Sequence, residues 1–500
     1  MMKVLLAHSY FLKNDAKQVK KMRPYPPLGT LYAAGHLRER GFEVALFDAM
    51  LAESESEFES LLDLYKPAVV ALYEDQFNFL NKMCLTHSRE AACRMSLLAR
   101  SRGATVIAAG SDVSDCPEVY FGHGVQHVLT GEADHTLVEL CEALRDGRPG
   151  AADTLAGLAL PGHNGNGARR TAARPPERRP DVFPLPAWDL VDVERYQAAW
   201  RGAHGYFSVN MVSTRGCPFH CNWCAKPIWG QLYAMRSPGN VAEELAVVKR
   251  TVRPDHIWFA DDIFGLQAEW VRDFAEEVAA RDAAVPFTIQ SRVDLMKEDA
   301  VVSLARAGCR EVWLGAESGS QKILDAMDKG TTVEQIRLAR KTLGKYDIRA
   351  CFFIQFGYPG ETFDDILSTV GLVRETMPSD VGISVSYPLP GTKFHAMVKN
   401  ELAGKDHWTD SNDLAMMYEG TYETDFYRGL HDLLHEDLET RQQVQEGKLA
   451  GEIAAAELQR IDQRWTEMAK IEPQKRTAKP TKILKTYSPA EAPDLTRSWN

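Results

Sequence analysis

Three cysteines within eight positions stand out chemically in this sequence. The segment reads Ser213-Thr-Arg-Gly-Cys217-Pro-Phe-His-Cys221-Asn-Trp-Cys224. Cysteine thiolate is the usual protein ligand of iron–sulfur clusters. Thiolates spaced four and three residues apart can wrap one cubic cluster. Three ligands for four irons leave one iron open. Such an iron can bind a small molecule through an amine and a carboxylate and pass one electron to it. Zinc and a chance grouping are the plainer alternatives. Structural zinc wants four ligands, usually as two separated pairs, and His220 lies too close in sequence to Cys221 to chelate easily beside it. The other six cysteines (Cys84, Cys93, Cys116, Cys141, Cys309 and Cys351) are scattered among apolar neighbours and read as core thiols.

The elements that must position this cluster follow from hydrophobic patterning. Strand candidates at Phe207–Ser213, His256–Phe259, Phe287–Gln290, Glu311–Leu314, Cys351–Phe356 and Val381–Ser386 alternate with helical stretches. Six such units predict a closed or partly closed parallel barrel, with chemistry at the carboxyl ends of its strands. The cysteines follow the first of these strands directly, so they belong to a loop at that end. Ahead of the barrel, Lys3–Ala7, Glu43–Phe47, Ala68–Leu72, Thr105–Ala108 and His127–Leu129 are short aliphatic runs without polar alternation. Strands buried on both faces read this way, and with helices between them they predict a doubly wound parallel sheet. The expected organisation is α/β: a sheet domain at 1–145, a Gly- and Pro-rich linker with one small hairpin at 146–200, a partial (β/α)6 barrel at 201–395, a helical region at 396–470 and a disordered basic tail at 471–500.

Composition narrows the function classes. The formal net charge of −11 argues against non-specific nucleic-acid binding. Lys475, Arg476, Lys479, Lys482 and Lys485 form a local basic run that reads as a solvated tail. No apolar run is long enough to span a bilayer. The opening MMKVLLAHSY has no small-residue cleavage site and reads as a buried strand. An odd count of nine cysteines without a secretion signal points to a reducing, cytoplasmic setting.

Cys-x3-Cys-x-aromatic-Cys after a first barrel strand resembles the radical S-adenosylmethionine (SAM) superfamily. The resemblance spans roughly residues 200–390. It implies that Cys217, Cys221 and Cys224 hold a [4Fe-4S] cluster and that Trp223 packs near the adenine of SAM. Asp261 and Asp262 end the second strand, where relatives contact the SAM amine; many of them carry Gly-Gly-Glu there, so either aspartate fits. Arg292 ends the third strand and would pair with the SAM carboxylate. Glu317 and Ser318 follow the fourth, at the ribose position. Gly357 follows the fifth and would let backbone approach the adenine.

A doubly wound, flavodoxin-like sheet before such a barrel resembles the cobalamin-binding subclass. The resemblance places cofactor contacts at Gly110 and Ser111 and at Gly131 and Glu132. The sheet pattern alone would also suit a nucleotide or an interaction domain. The Asp-x-His-x-x-Gly motif that offers cobalt a histidine is absent, and His8 lacks its context, so the resemblance implies cobalt without a protein histidine ligand. Ser386-Tyr-Pro-Leu-Pro-Gly391 and the Trp408–Tyr418 stretch are similar to the group around the anaerobic magnesium-protoporphyrin monomethyl ester cyclase. The activity so implied is reductive cleavage of SAM and functionalisation of an unactivated carbon of a small molecule, most simply by methyl transfer. Cyclase-like oxidation of a porphyrin-type or other ring is the alternative, and methylthiotransfer a further one that would need three N-terminal cysteines such as Cys84, Cys93 and Cys116. No general-base dyad is required, and a flavodoxin or ferredoxin would supply the electron.

Overall fold

The computed structural model describes residues 1–78, 80, 85–162, 167–226, 228–402 and 414–477. Its first sheet contains β1 (Lys3–Ala7), β2 (Glu43–Phe47), β3 (Val69–Tyr73), β4 (Thr105–Ala109), β5 (His127–Leu129), β6 (Leu158–Pro161) and β7 (Ala168–Arg170). The order is β2-β1-β3-β4-β5-β6-β7. The first five strands run parallel, and β6 and β7 add as an antiparallel hairpin. The segment expected as a linker therefore extends this sheet. Successive residues face opposite layers. Val4, Leu6, Val69, Ala71 and Ile107 pack with helices 28–39 and 134–145. Leu5, Ala7, Val70, Leu72 and Val106 pack with helices 55–65 and 86–101. The strand order reverses between β1 and β3, which opens a crevice at their carboxyl ends.

The second sheet holds β8 (Ser208–Met211), β11 (His256–Phe259), β12 (Phe287–Ser291), β13 (Cys309–Glu317), β14 (Arg349–Phe356) and β15 (Asp380–Val385). All neighbours are parallel, in the order β15-β14-β13-β12-β11-β8. Among the described residues β8 and β15 each have one neighbour, so the sheet is a half-barrel. Ile257, Phe259, Ile289, Val312, Leu314 and Phe352 face the helices 238–251, 268–280, 298–307, 333–345 and 363–376. The helix starts are capped: Thr332 with Gln335, and Thr362 with Asp365, form reciprocal boxes, and Pro238 follows the Ser237 cap. Polar side chains, together with Trp258, Trp313 and Phe353, take the opposite, concave face. There Ser208 Oγ and Thr288 Oγ1 each lie 2.9 Å from a ring nitrogen of His256.

A short ladder of β9 (Thr214–Gly216) and β10 (Tyr233–Met235) projects from the end of β8. Helices 424–445 and 451–471 form a hairpin around Asp437. Its carboxylate accepts from Arg374 at 2.7 Å, Arg441 at 2.6 Å and Trp465 Nε1 at 2.8 Å. Beyond Ile471 the chain remains packed for several residues: Tyr422 bridges to Arg476, and Thr477 N–H donates to the Thr421 carbonyl. Residues 478–500, with Lys479, Lys482 and Lys485, lie outside the described residues, as do Cys84 and Trp408. The described helices include none long and apolar enough to cross a membrane.

The two sheets are docked by specific polar contacts. Trp200 Nε1 donates to the Pro24 carbonyl at 2.6 Å, Asn210 Nδ2 to the Pro26 carbonyl at 3.1 Å and Tyr196 OH to Asp48 at 2.7 Å. The Tyr25–Thr30 stretch thus serves as mortar between the sheets.

Candidate functional site

The cysteine loop begins at a turn held by Asp261. This buried carboxylate accepts the backbone N–H groups of Ser213 at 2.9 Å and Thr214 at 2.5 Å, and both of their hydroxyls. Burial pushes its pKa up to about 7, against the pull of those four donors. Asp262 is exposed and lies within electrostatic reach of Cys217. Sequence left these two aspartates equivalent. The fold gives Asp261 to the root of the loop and Asp262 to the side facing the cysteines.

Gly216 comes next, with a φ of 79°. A Cβ there would collide with the carbonyl oxygen of Leu232, the residue just before the paired strand. Only glycine fits both demands. Cys217 is buried, and Cys221 and Cys224 are partly exposed. No disulfide joins the described cysteines. Lys226 Nζ ties the loop by donating to the carbonyls of Cys217, at 2.9 Å, and Phe219.

Asn222 fixes the middle of the loop. Its N–H donates to the Met327 carbonyl at 3.0 Å and its Nδ2 to the Ala326 carbonyl at 2.7 Å. Its Oδ1 accepts from Tyr358 OH at 2.9 Å, and its carbonyl from Phe394 N–H at 3.0 Å. Tyr358 is therefore a support of the loop. Trp223 packs beside Ile323, Met327, Tyr358, Phe394 and Tyr418. Its buried indole Nε1 has no hydrogen-bond partner among the described residues.

Two buried cations approach from the neighbouring strands. The Arg292 guanidinium lies 3.7 Å over the Phe219 ring, bonded to Asp294 at 3.0 Å and to the Lys329 carbonyl at 3.0 Å. Lys329 pairs with Glu317 at 2.6 Å and is within electrostatic reach of both the Cys221 thiol and Arg292. Glu317 sits at a left-handed φ of 62°, just after a register shift in β13. Lys329 escaped the sequence reading, since nothing local marks it beyond its place after an Ala-Met-Asp turn. Asn222 escaped too, although a lone amide between Cys221 and Trp223 was a usable signal.

The other expected contacts divide. The Ser318 hydroxyl is shared with Thr369 Oγ1 at 3.2 Å and accepts Ser320 N–H at 3.1 Å. Gly357 has a φ of 77°, donates its N–H to Glu361 at 2.6 Å and accepts from Tyr418 OH. Burial pushes the Glu361 carboxyl up to about 8. In the first sheet, Ser111 lines a small hollow at the switch point with Ser9, Glu74, Arg89, Asp112 and Tyr120. Gly110 (φ 153°) bounds it, since a Cβ there would press on Glu74. Gly131 and Glu132 lie elsewhere: Glu132 is buried against Arg215, between the sheets. His8 is engaged by Asp48 at 2.9 Å and by the Ala49 N–H at 3.0 Å.

The donor set suits an iron–sulfur cluster. Three cysteines on one loop offer soft sulfur ligands, and Lys329 lies within electrostatic reach of Cys221. Burial, with smaller contributions from Asp262 and Cys221, raises the Cys217 thiol, while the Phe219 backbone N–H and Lys226 oppose it. Among the described residues no three His, Cys, Asp or Glu side chains are already gathered as a metal-binding group. The loop would have to draw its thiols together around the cluster.

Residues 211–373 match the Radical SAM superfamily. An uncharacterized methyltransferase of Pyrococcus horikoshii is 27% identical over 386 residues, covering 75% of this chain and 80% of the relative. The anaerobic magnesium-protoporphyrin IX monomethyl ester cyclase of Rubrivivax gelatinosus is 25% identical over 405 residues, covering 78% and 68%. Among solved structures, OxsB, a cobalamin-dependent SAM radical enzyme with aqua-cobalamin and SAM bound, superposes with a TM-score of 0.68 at 16% identity over 95% of this chain and 71% of its own. The radical SAM methyltransferase TsrM of Kitasatospora setae gives 0.65 at 19% identity, covering 80% and 76%. The three-cysteine loop at the head of a parallel half-barrel and the family match agree: residues 211–373 carry a Radical SAM domain, which implies an enzyme with SAM and a [4Fe-4S] cluster as cofactors.

Proposed function

We propose that this protein is a cobalamin-dependent radical SAM enzyme that transfers a methyl group to an unactivated carbon of a small molecule. The observation that carries the reading is the docking of a doubly wound sheet against a half-barrel whose cysteine loop faces the interface. When bound, the cluster supplies the electron that cleaves SAM and cobalamin supplies a methyl carrier.

The protein's own residues bind and orient. Cys217, Cys221 and Cys224 would hold the cluster. Asp262 would accept charge-assisted hydrogen bonds from the SAM amine, and Arg292 with Lys329 would face its carboxylate. Trp223 and the Gly357 turn would flank the adenine, with Glu317 near the ribose. In the first sheet Gly110 and Ser111 would admit the tail of cobalamin at the hollow by Ser9 and Glu74. His8 is held through Nε2 by Asp48 and the Ala49 N–H and would support the first sheet without itself holding cobalamin. Trp258, Trp313 and Phe353 are half-buried on the concave face, where substrate would lie and water be excluded.

Names among the relatives favour methyl transfer, as methyltransferases occur in both comparisons. The Rubrivivax relative favours a second reading, oxidation or cyclisation of a ring substrate. Methylthiotransfer, the name of a Methanocaldococcus jannaschii relative, has less support. Cys93 is buried in helix 86–101, Cys116 lies by Arg89, and the C-terminal region is a helix pair.

The test is anaerobic reconstitution with cobalamin, SAM and a strong reductant, followed by assay of S-adenosylhomocysteine and protein-bound cobalamin. Methyl transfer predicts both. Cobalamin retained without S-adenosylhomocysteine would favour the oxidative reading, and no cobalamin retained would refute the assignment of the first sheet.

A further inference from the structure

One carboxylate of the first sheet's domain holds both ends of the cysteine loop. Glu132 Oε1 accepts from Arg215 Nη1 at 2.5 Å and from Trp229 Nε1 at 3.2 Å. Arg215 stands two residues before Cys217, and Trp229 five residues after Cys224. The other Glu132 oxygen accepts the Glu177 N–H. Asp134 adds a second carboxylate 3.0 Å from Arg215. The guanidinium lies 4.0 Å over the Phe183 ring, and Trp229 stacks on Phe77 with centroids 5.3 Å apart. The side chains of Arg215, Glu132 and Asp134 are all 5% exposed or less.

A buried ion network of this kind is weak evidence for net stability, because desolvation offsets most of the attraction. Its effect is geometric. Each oxygen of Glu132 has a defined donor, so the Arg215 strand and the Trp229 turn can be satisfied together in only one arrangement. The loop between them needs such a reference, since its root passes through the left-handed Gly216. We propose that Glu132 is a positioning residue for the cluster: it sets the span of the loop from the neighbouring domain, so the half-barrel's cluster site is complete only when the first sheet is docked on it. The inference rests on the reading of Cys217, Cys221 and Cys224 as cluster ligands.

The experiment uses the full chain, reconstituted anaerobically with iron and sulfide. The readouts are iron loss to a chelator and the low-temperature EPR spectrum of the reduced cluster with and without SAM. Glu132→Gln is expected to lose iron about tenfold faster, the scale typical of groups that orient metal ligands, with a diminished response of the spectrum to SAM. Trp229→Phe should shift both readouts in the same direction by less. Asp437→Asn, in the equally buried network of the C-terminal hairpin, should lower stability and leave both unchanged. Wild-type iron retention and spectra in Glu132→Gln and Trp229→Phe would overturn the proposal, as would equal iron loss in Asp437→Asn. If Glu132→Gln fails to fold, the contrast between Trp229→Phe and Asp437→Asn decides. A wild-type chain that takes up no cluster would instead refute the cluster reading, and this inference with it.

Discussion

At the carboxyl ends of the first sheet, Asp75 is buried, Glu74 is half-buried, and both are already engaged. Glu74 accepts the Ser9 N–H at 3.1 Å, and Asp75 caps helix 28–39 by accepting Gly29 N–H at 2.9 Å. Burial raises both carboxyls. At the carboxyl ends of the half-barrel, three cysteines face two buried cations, Arg292 and Lys329. Both regions are parallel βα architecture, and both place loops where such sheets bind ligands. One presents acid and small residues beside a hollow; the other presents three thiols, with the Lys329 ammonium within electrostatic reach of one of them. Topology sets the place, and side chains set the chemistry.

The comparison can be broken most severely at Lys329. Lys329→Met leaves the Glu317 carboxylate buried and unpaired, which costs about 3–5 kcal/mol. Urea unfolding should show that loss, together with weakened SAM binding. A loss below about 1 kcal/mol, the scale of exposed pairs, would mean the pair is not sealed. Gly216→Ala forces a side chain into the left-handed region against the Leu232 carbonyl, at about 1–3 kcal/mol. Reduced iron incorporation should accompany it, and a variant loading iron like wild type would show that the loop root tolerates movement. Gly110→Leu sharpens the contrast from the other side. It should lower cobalamin retention about tenfold, equivalent to about 1.4 kcal/mol, while leaving iron content unchanged. Loss of both together would tie the two regions into one site.

A pH dependence gives a further test. The Glu361 carboxyl sits near 8 in the fold and near 4.5 unfolded. Between those values the folded chain binds the extra proton, so this group's contribution makes stability fall as pH rises towards 8. Glu361→Gln removes it. The melting temperature of the variant should therefore gain on wild type between pH 5 and pH 8, and a constant offset across that range would contradict the assignment.

Most strands were legible because buried parallel strands are short apolar runs; β1, β2, β5 and β11 occur within their expected bounds. The cysteine loop was legible because its ligands are neighbours in sequence. What sequence reading missed is assembled from distant positions. Lys329 reaches the cysteines across two strands, Asn222 is bound by residues more than a hundred positions away, and Glu132 meets Arg215 only when the two sheets dock. Glu132 illustrates the limit well. A Gly-Glu-Ala-Asp turn after a strand reads as a ligand contact, and local pattern carries no sign that its partner is an arginine in another domain. The choice between Asp261 and Asp262 likewise depended on which side chain the β8–β9 turn consumes.

The most direct measurement is the iron, sulfide and cobalamin content of anaerobically reconstituted wild-type chain and of Cys217→Ser, Cys221→Ser and Cys224→Ser. The account predicts about four irons per wild-type chain, as one [4Fe-4S] cluster requires, near-complete loss in each variant, and cobalamin retained in all. Full iron content in any of the three variants would contradict it.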